Sequence, residues 1–354
     1  MRLQHWRRAA LAAALMLPVA AVPRASAEMQ YTALEFSRLP GWNLDDHDAA
    51  LRVFAASCDR IRSADSGSAE RWRRVCDLAK SHPEPARRFF EDNFQPVISA
   101  GEASGLLTGY FEPELAGALE RDDSYRYPLY RPPPDLPPGR PWKTRAEIEA
   151  GALAGRGLEL VWLRDPVDAF FVHVQGSARI HLREGGNMRV GFAGRNGHVY
   201  RSVGREAARL GLMAPNRVSA GRIRDYVRQQ PETGRRLLNH NPSYIFFREI
   251  APAAESDGPV GAMGVPVTAM RSLAVDPEFI PLGAPVWVEM KESKRFPRLM
   301  VAQDVGSAIK GAQRGDIFFG TGGKAGKQAG RVRNAGRLVV LMPKPADPEL
   351  PAGD

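Results

Sequence analysis

The amino-acid sequence predicts a mainly β fold with a helical N-terminal part. Between residues 46 and 94, apolar side chains recur three or four positions apart, which is the period of an amphipathic helix. Beyond residue 104, short runs rich in β-branched and aromatic residues alternate with Gly, Pro, Asn and Asp. This spacing favours a barrel or a sandwich over a parallel α/β sheet.

The first 27 residues have the pattern of a cleavable secretory signal. A basic start is followed by an apolar run from Ala9 to Val22 and by small residues around Ser26, which predicts cleavage after Ala27. The alternative is an uncleaved anchor, but the apolar run is shorter than the roughly 20 residues of a membrane-spanning helix. Because no cysteine lies near the cut, we expect no lipid attachment and a soluble exported protein.

Length and charge limit the function classes. Cleavage after Ala27 leaves 327 of the 354 residues, enough for two domains of roughly 100 to 200 residues each. Cleavage removes four arginines and no acid, so the formal net charge falls from +9 to +5. The basic residues are dispersed and no nucleic-acid-binding motif is present, so we expect a solvated basic surface and no nucleic-acid partner.

Three helices are predicted in the N-terminal part, and two of them carry the cysteines of the chain. The helical segments are residues 47–62, 68–80 and 83–94. Cys58 and Cys76 lie on the first and second segments, where a structural disulfide is plausible in an exported protein. Two buried free thiols are the alternative, and the sequence leaves both open.

The rest of the chain is predicted as short strands with a few helices between them. The strand-like runs are residues 105–115, 168–182, 188–194, 243–250, 284–290, 298–305, 316–322 and 336–343. Helical patterns return at residues 201–213, 219–230 and 234–242. The proline-rich segment 127–142 is predicted to be a surface connection without regular structure, and the tail 344–354 to be disordered.

Motifs for metals, nucleotides and serine nucleophiles are missing from the sequence. The histidines form no HExxH pair and the cysteines no CxxC pair, so we expect no metal and no cofactor. The segment GTGGKAGK at 320–327 lacks the spacing of a phosphate-binding loop, and VQGSARI lacks the second glycine of a nucleophile elbow.

Three aspartates remain as candidates for chemistry. Asp304 ends a buried strand-like run, Asp316 lies near the start of the next one, and Asp276 precedes Pro277 at a third strand end. Each one alone is an ordinary turn residue. Together they stand at strand ends, where a rigid scaffold presents side chains to a cleft.

The segments around these aspartates resemble a known family. DPEFIPLGAPVWVE (276–289) and AQDVGSAIKGAQRGDIFFGTG (302–322) are similar to the three-aspartate (3D) domain. Five further segments, in the same order as in the family, extend the resemblance to the membrane-bound lytic transglycosylase A (MltA) family. They are LTGYFEPEL (107–115), KTRAEIEAGAL (143–153), FFVHVQGSARI (170–180), GFAGRNGHVYRSVG (191–204) and NPSYIFFRE (241–249).

The resemblance implies a fold of two domains with a groove between them. Residues 28–113 and 250–343 would form a double-psi β-barrel domain, and residues 114–249 an inserted, smaller β-rich domain. The implied substrate is the glycan strand of peptidoglycan, cleaved in the periplasm without water to leave 1,6-anhydromuramic acid ends. Cell-wall synthesis or division proteins would be further partners.

By position in the motif, Asp316 corresponds to the catalytic acid, which afterwards acts as the base, and Asp304 and Asp276 to supporting aspartates. Lys310, between Asp304 and Asp316, is predicted to fix a carboxylate or contact the substrate, with a solvated lysine as the alternative. Further groove residues are predicted from their polar or aromatic character, and each has the alternative of a structural hydrogen bond. They are Thr108, Tyr110, Gln175, Ser177, Asn196, Tyr200 and Arg201.

Two features of the sequence depart from the family pattern. Ser307 replaces the usual second glycine, which predicts a slightly different loop beside Asp304. The lipid-acceptor cysteine of anchored members is missing as well.

Two other functions are alternatives to a lytic transglycosylase. A glycoside hydrolase using Asp316 and Asp304 as a pair is one alternative. A non-catalytic peptidoglycan-binding protein is the other, although such a protein has no need of a perturbed acid.

Overall fold

The computed structural model describes residues 31–61, 66–81, 85–99, 105–251, 258–291 and 296–345. The predicted signal (1–27) lies outside these residues, as does the predicted disordered tail beyond residue 345. No helix in these ranges is long and apolar enough to cross a membrane.

The helices and strands follow in chain order. The helices are α1 (His47–Ser57), α2 (Ser66–Lys80), α3 (Ala86–Asn93), α4 (Arg145–Glu147), α5 (Pro166–Gln175), α6 (Val203–Arg209), α7 (Ala220–Gln229), α8 (Pro231–Asn239) and α9 (Gly322–Ala329). The strands are β1 (Tyr31–Ala33), β2 (Phe94–Ser99), β3 (Gly105–Glu112), β4 (Glu114–Ala118), β5 (Tyr127–Tyr130), β6 (Glu159–Leu163), β7 (Ser177–Leu182), β8 (Asn187–Arg195), β9 (Ile245–Ile250), β10 (Ser272–Val275), β11 (Pro285–Met290), β12 (Arg298–Val305), β13 (Arg314–Thr321) and β14 (Arg333–Pro343).

Six strands close into a barrel. Their order is β14, β11, β12, β10, β13 and β3, and β3 pairs again with β14. Two neighbouring pairs run parallel, β3 with β13 and β10 with β12. Closure pairs every strand on both sides, so no unpaired sheet edge remains inside the ring. This barrel and the second sheet beside it confirm the predicted barrel with an inserted β-rich part.

The N-terminal helices pack on the barrel through one continuous apolar core. Phe54 of α1, Phe90 of α3 and Trp287 of β11 are fully buried in it. The guanidinium of Arg271 also pairs with the carboxylate of Asp45 just before α1, with nitrogen–oxygen distances of 2.7 and 3.0 Å. The predicted helices of this part are confirmed, and Cys58 and Cys76 form a disulfide with a Cα–Cα distance of 5.4 Å.

The second sheet has six strands in the order β5, β6, β4, β7, β8 and β9. Helix α5 packs on it through Ala169 and Val172, which belong to the same apolar cluster as Val161 and Val190 of the sheet. The other side of α5 packs with α6, α7 and α8. The predicted helical patterns after residue 200 therefore correspond to helices that cover α5.

The strand predicted over residues 168–182 is wrong in its first half, which forms α5. The Asp165 side chain accepts a hydrogen bond from the Val167 N–H at 2.8 Å, and Pro166 occupies the first turn, so a helix starts here. Gly176, with φ of 85°, ends it in the left-handed conformation. Only Ser177–Leu182 is a strand.

The proline-rich segment 127–142 also begins with regular structure, against the prediction. Its first four residues form β5, which pairs antiparallel with β6. Because β5 is an edge strand, the missing N–H of Pro128 need not break a ladder of hydrogen bonds.

Candidate functional site

A row of side chains crosses four neighbouring strands of the barrel. Ala274 of β10 pairs with Asp304 of β12 on one side and with Asp316 of β13 on the other. Asp316 in turn pairs with Thr108 of β3. Residues directly opposite each other point to the same face of a sheet, so these four side chains share a face. We call Asp304, Ala274, Asp316 and Thr108 the aspartate row.

The aspartate row faces away from the barrel interior. Leu107, Leu273 and Ile317, each one position away from a row residue, are fully buried in the main core. Because successive side chains of a strand alternate between faces, the row lies on the outer face. Ala274 packs there with Tyr110 in a separate small cluster. An alanine between the two aspartates leaves room above it for Tyr110.

A β-bulge places Asp304 in the row. The register between β10 and β12 shifts between Leu273 and Ala274, so that Gln303 is the extra residue. The buried Gln303 side chain accepts from the Ser272 hydroxyl and donates to Ser57 Oγ on α1 at 2.8 Å. These contacts fix the bulge, and the bulge sets the direction of the next side chain, Asp304.

Asp316 is a half-buried carboxyl group with a raised pKa. Burial raises the pKa from the ordinary 3.8 to about 6. The hydrogen bond that Thr108 donates to Oδ1 and the positive charge of Arg314 act in the opposite direction, while the charge of Asp304 adds to the rise. A carboxyl group with this pKa can hold a proton near neutral pH and also release it.

Asp304 is held by three donors. Its Oδ2 accepts from the Tyr110 hydroxyl at 2.9 Å, and its Oδ1 accepts from the N–H groups of Ala262 at 3.0 Å and Val305 at 2.9 Å. Burial raises its pKa, and these hydrogen bonds partly offset the rise. The carboxylate is fixed in orientation and most of its acceptor capacity is used by the protein.

Asp276 and Lys310 together hold the loop between Asp304 and Asp316. The buried Asp276 carboxylate accepts from Lys310 Nζ at 3.0 Å and from the Gly311 N–H at 2.9 Å. Burial acts to raise the pKa of Asp276, but these hydrogen bonds outweigh it and leave the pKa below its ordinary value. Lys310 therefore fixes a carboxylate, one of the two predicted roles. Ser307 in this loop has a negative φ, so the loop tolerates its side chain without backbone strain.

The remaining predicted groove residues fall into different environments. Gln175, at the end of α5, accepts from the Phe111 N–H of β3 at 3.0 Å and so joins the second sheet to the barrel beside Tyr110. Ser177 is buried at the start of β7, Tyr200 is half-buried, and the Arg201 side chain is exposed. Among the described residues, the last three have no hydrogen bond or ion pair with the aspartate row.

Asn196 does not line a groove but is a fully buried structural hydrogen-bonder. Its Nδ2 donates to the carbonyl oxygens of Lys143 and Pro242, both at 2.8 Å, and its Oδ1 accepts from the Tyr244 N–H at 2.9 Å. Every polar atom of the amide is used to join three segments of the chain. The prediction of Asn196 as a substrate-binding residue is therefore replaced by its structural alternative.

Arg314 belongs to the site but is not among the site residues predicted from the sequence. Its Nη2 donates to Thr108 Oγ1 at 2.8 Å, and Thr108 donates on to Asp316. The signal was available, because Arg314 precedes Asp316 by two positions on the same strand and must share its face. Arg314 orients the Thr108 hydroxyl toward the carboxyl group.

A buried ion cluster joins the barrel to the second sheet. Glu112, fully buried at the end of β3, lies 2.8 Å from Arg189 Nε and accepts from Arg189 Nη2 at 3.0 Å. Arg179 approaches the same carboxylate at 3.8 Å, and Thr321 at the end of β13 donates to it at 2.8 Å. We call these four residues the Glu112 cluster. It fixes the second sheet relative to the strand that carries Asp316.

Comparison with known proteins identifies two family models in this chain. The MltA specific insert domain matches residues 106–248, and the 3D domain matches residues 271–342. The membrane-bound lytic murein transglycosylase A of Escherichia coli K12 is 36% identical over 270 residues, which cover 73% of this chain and 71% of that protein.

Solved structures of similar proteins extend the likeness to the whole fold. A membrane-bound lytic murein transglycosylase from Agrobacterium tumefaciens is 35% identical with a TM-score of 0.80, covering 88% of this chain and 97% of that one. MltA of E. coli with bound chitohexaose is 27% identical with a TM-score of 0.71, covering 89% and 95%. The ligand in that structure of the E. coli protein is chitohexaose.

Proposed function

The chain belongs to the membrane-bound lytic murein transglycosylase A family, and from this premise we propose that Asp316 cleaves the glycan strands of peptidoglycan as acid and then as base. The bond cleaved joins N-acetylmuramic acid to N-acetylglucosamine. The observation that carries the proposal is the half-buried carboxyl group of Asp316, with a pKa of about 6, on the outer face of the barrel beside the second sheet.

The first step needs a proton on the glycosidic oxygen. As that bond breaks, positive charge develops at C1 of the muramyl ring. The protonated fraction of Asp316 supplies the proton and becomes a carboxylate next to the developing charge. Thr108, oriented by Arg314, donates to Oδ1 and so stabilises the carboxylate that the step produces.

The second step takes a proton back. The Asp316 carboxylate accepts the proton of the muramyl C6 hydroxyl, and that oxygen bonds to C1 to close the 1,6-anhydro ring. The acid is regenerated and no water is consumed. Asp304 stays a fixed neighbouring charge in this scheme, because Tyr110, Ala262 and Val305 already occupy its oxygens.

The hydrogen bonds of Asp304 favour this scheme over hydrolysis by a carboxylate pair. A hydrolase needs its second carboxylate free to activate water or to attack the sugar. Three donors hold Asp304 within the protein, which supports a positioning role for this aspartate.

Two domains with a groove between them would hold the glycan strand. We assign residues 28–113 and 250–343 to the barrel domain and residues 114–249 to the inserted domain. The Gln175 contact with β3 and the Glu112 cluster keep the two sheets in fixed relation beside Asp316, which supports this division. The predicted signal at residues 1–27 supports action in the periplasm.

The test is a digestion of purified peptidoglycan sacculi, with the soluble products analysed by mass spectrometry. Wild-type protein is compared with Asp316→Asn and with Asp92→Asn, a matched control at an exposed position of α3. We expect 1,6-anhydromuramic acid ends from the wild type and the control, and none from Asp316→Asn. Ends that carry an added water would indicate a hydrolase. Sacculus binding without products from any variant would indicate a binding protein.

A further inference from the structure

The second sheet borders a cavity that lies apart from the aspartate row. Its volume is about 720 Å³, within the range of about 300–1,000 Å³ usual for small-molecule sites. Strands β5 and β6 form one wall, and helices α5, α7 and α8 form the others. We call it the insert cavity. None of the residues proposed above for catalysis lines it.

Three polar atoms of the cavity wall have no partner within the described residues. The side chains of Tyr130, His173 and Tyr244 are 7%, 9% and 3% exposed, and all three line the cavity. Across the described ranges, neither tyrosine hydroxyl makes a hydrogen bond and His173 uses only Nδ1. None of these three atoms is fully enclosed by protein, so each is accessible from the cavity and can donate a hydrogen bond to a ligand that supplies acceptors.

His173 presents a donor to the cavity. Its Nδ1 accepts from the Ile245 N–H at 3.4 Å, so in the neutral ring the proton is on Nε2. Burial, and then the charge of Arg145, lower the pKa of His173 well below its ordinary 6.5. The ring is therefore neutral at physiological pH, and Nε2–H is available as a donor.

The surroundings of the cavity are electropositive. The buried guanidinium of Arg145 lies 4.7 Å from the Phe170 ring and 5.0 Å from the Tyr244 ring. Three exposed arginines, which make no ion pair with any described residue, also line the cavity: Arg121, Arg126 and Arg164.

The acidic residues of the cavity wall are matched by arginines. Glu149 pairs with Arg145, and Glu232 pairs with Arg235. Asp165, the third acid, pairs with Arg228. The three arginines without ion pairs therefore leave an excess of positive charge, which favours an anionic ligand.

From this arrangement we propose that the insert cavity binds a carboxylate-bearing small molecule. The carboxylate accepts hydrogen bonds from the hydroxyls of Tyr130 and Tyr244 and from His173 Nε2–H. Tyr127 and Trp162 supply apolar wall for the rest of the ligand. Peptidoglycan contains two sources of this group, the lactyl carboxylate of N-acetylmuramic acid and the carboxylates of its stem peptide. The choice of these sources rests on the proposed function, whereas the carboxylate site itself does not.

Binding is measured by calorimetry on full-length Asp316→Asn protein, which leaves the cavity unchanged and is not expected to cut the probes. The probes are N-acetylmuramic acid, a tetrapeptide of stem sequence, and N-acetylglucosamine as the neutral counterpart of the muramic acid. We expect one or both carboxylates to bind, and the neutral sugar to bind at least about tenfold more weakly. Equal binding of the neutral sugar, or no binding of either carboxylate at 10 mM (~2.7 kcal/mol of affinity), overturns the proposal.

The location is tested with variants that keep the rings. Tyr130→Phe combined with Tyr244→Phe removes both hydroxyls, and Tyr226→Phe, on α7 outside the cavity wall, is the control. We expect the double variant to bind the carboxylate at least about tenfold more weakly and the control to bind it unchanged. Unchanged affinity in a folded double variant overturns the assignment.

A second measurement uses protein without substitutions in the insert cavity. The ¹⁵N resonances of the His173 ring should shift when the carboxylate probe is added to protein with both tyrosines intact. Binding without such a shift would place the ligand elsewhere and overturn the assignment. The sacculus digestion reports on Asp316 alone, so failure of this site and failure of the proposed reaction are distinguishable.

Discussion

Asp316 illustrates how surroundings convert an ordinary carboxyl group into a candidate acid–base catalyst. Burial on the outer face of the barrel raises its pKa, whereas Thr108 and Arg314 prevent the pKa from rising further. The resulting pKa of about 6 suits a group that must both donate and accept a proton near neutral pH. Activity that depends on the protonated form should fall as the pH rises through about 6.

The raised pKa predicts that Asp316→Asn stabilises the protein at neutral and alkaline pH. Below about pH 3, Asp316 is largely protonated in both folded and unfolded chains. As the pH rises from 3.8 to about 6, the unfolded chain releases the proton first, so the wild type loses stability. The free energy of unfolding of the wild type falls by about 3 kcal/mol over this pH range and does not fall further above it on account of Asp316.

The measurement is urea unfolding of both proteins at pH 4 and pH 8. Asparagine cannot ionise, and its Oδ1 still accepts a hydrogen bond from Thr108. The stability of the variant relative to the wild type should therefore increase from pH 4 to pH 8. A stability difference that is the same at both would show that the Asp316 pKa is not raised. Asp92→Asn, on an exposed carboxyl group, serves as the control with no expected gain.

Tyr110→Phe tests the positioning of Asp304. The variant removes the donor to Asp304 Oδ2 and keeps the ring that packs on Ala274. We expect kcat/KM on soluble glycan strands to fall roughly tenfold with little change in stability, because a single hydrogen bond to a carboxylate is lost. Tyr31→Phe, which removes an exposed hydroxyl bonded to the Phe279 carbonyl, is the matched control. Full activity of Tyr110→Phe would exclude a positioning role.

Alternation along the strands accounts for part of the site. Thr108 and Tyr110 lie two positions apart on β3 and share a face, and the pairing of Thr108 with Asp316 places Asp316 on that face too. Asn196 shows the limit. In the sequence, an amide in a glycine-containing loop is compatible with a ligand-binding role and with a structural role. Only the positions of Lys143, Pro242 and Tyr244 in the fold decide between the two roles.

At the scale of elements, the least predictable feature of the site is the bulge in β12. One extra residue, Gln303, brings Asp304 into register with Ala274, and its side chain depends on Ser57 from a distant helix. Local sequence contains no signal for that contact. The prediction of a strand in place of α5 is wrong because local preference and the helix end signals disagree. The aromatic and β-branched residues of α5 favour a strand locally, whereas the Asp165–Pro166 start and the Gly176 end specify a helix.

The disulfide is predicted to stabilise the N-terminal helices that support this bulge. Cys58 and Cys76 lie 18 positions apart in the chain, and closing the loop between them restricts the unfolded chain. Cys58→Ala with Cys76→Ala should lower the free energy of unfolding by about 2–4 kcal/mol. Urea unfolding of the wild type with and without reductant checks this result. If reductant destabilises the double variant as much as the wild type, the disulfide is not the cause.

At the scale of the whole molecule, the Glu112 cluster joins the two sheets. Glu112→Ala leaves Arg179 and Arg189 without their buried carboxylate, and removing one partner of a buried pair costs about 3–5 kcal/mol. Urea unfolding should show this loss. Glu114→Ala removes a more exposed carboxylate 3.7 Å from Arg179 and should cost less than about 1 kcal/mol. Equal losses in the two variants would contradict a structural role for the buried position.

Closure of the barrel also determines when the site can exist. The Thr108–Asp316 hydrogen bond joins residues 208 positions apart, and the whole second sheet lies between them in the chain. During synthesis, β3 leaves the ribosome long before β13, so the emerging chain has no complete aspartate row. A chain that ends before β13 therefore lacks Asp316 and cannot form the aspartate row, however complete its second sheet is.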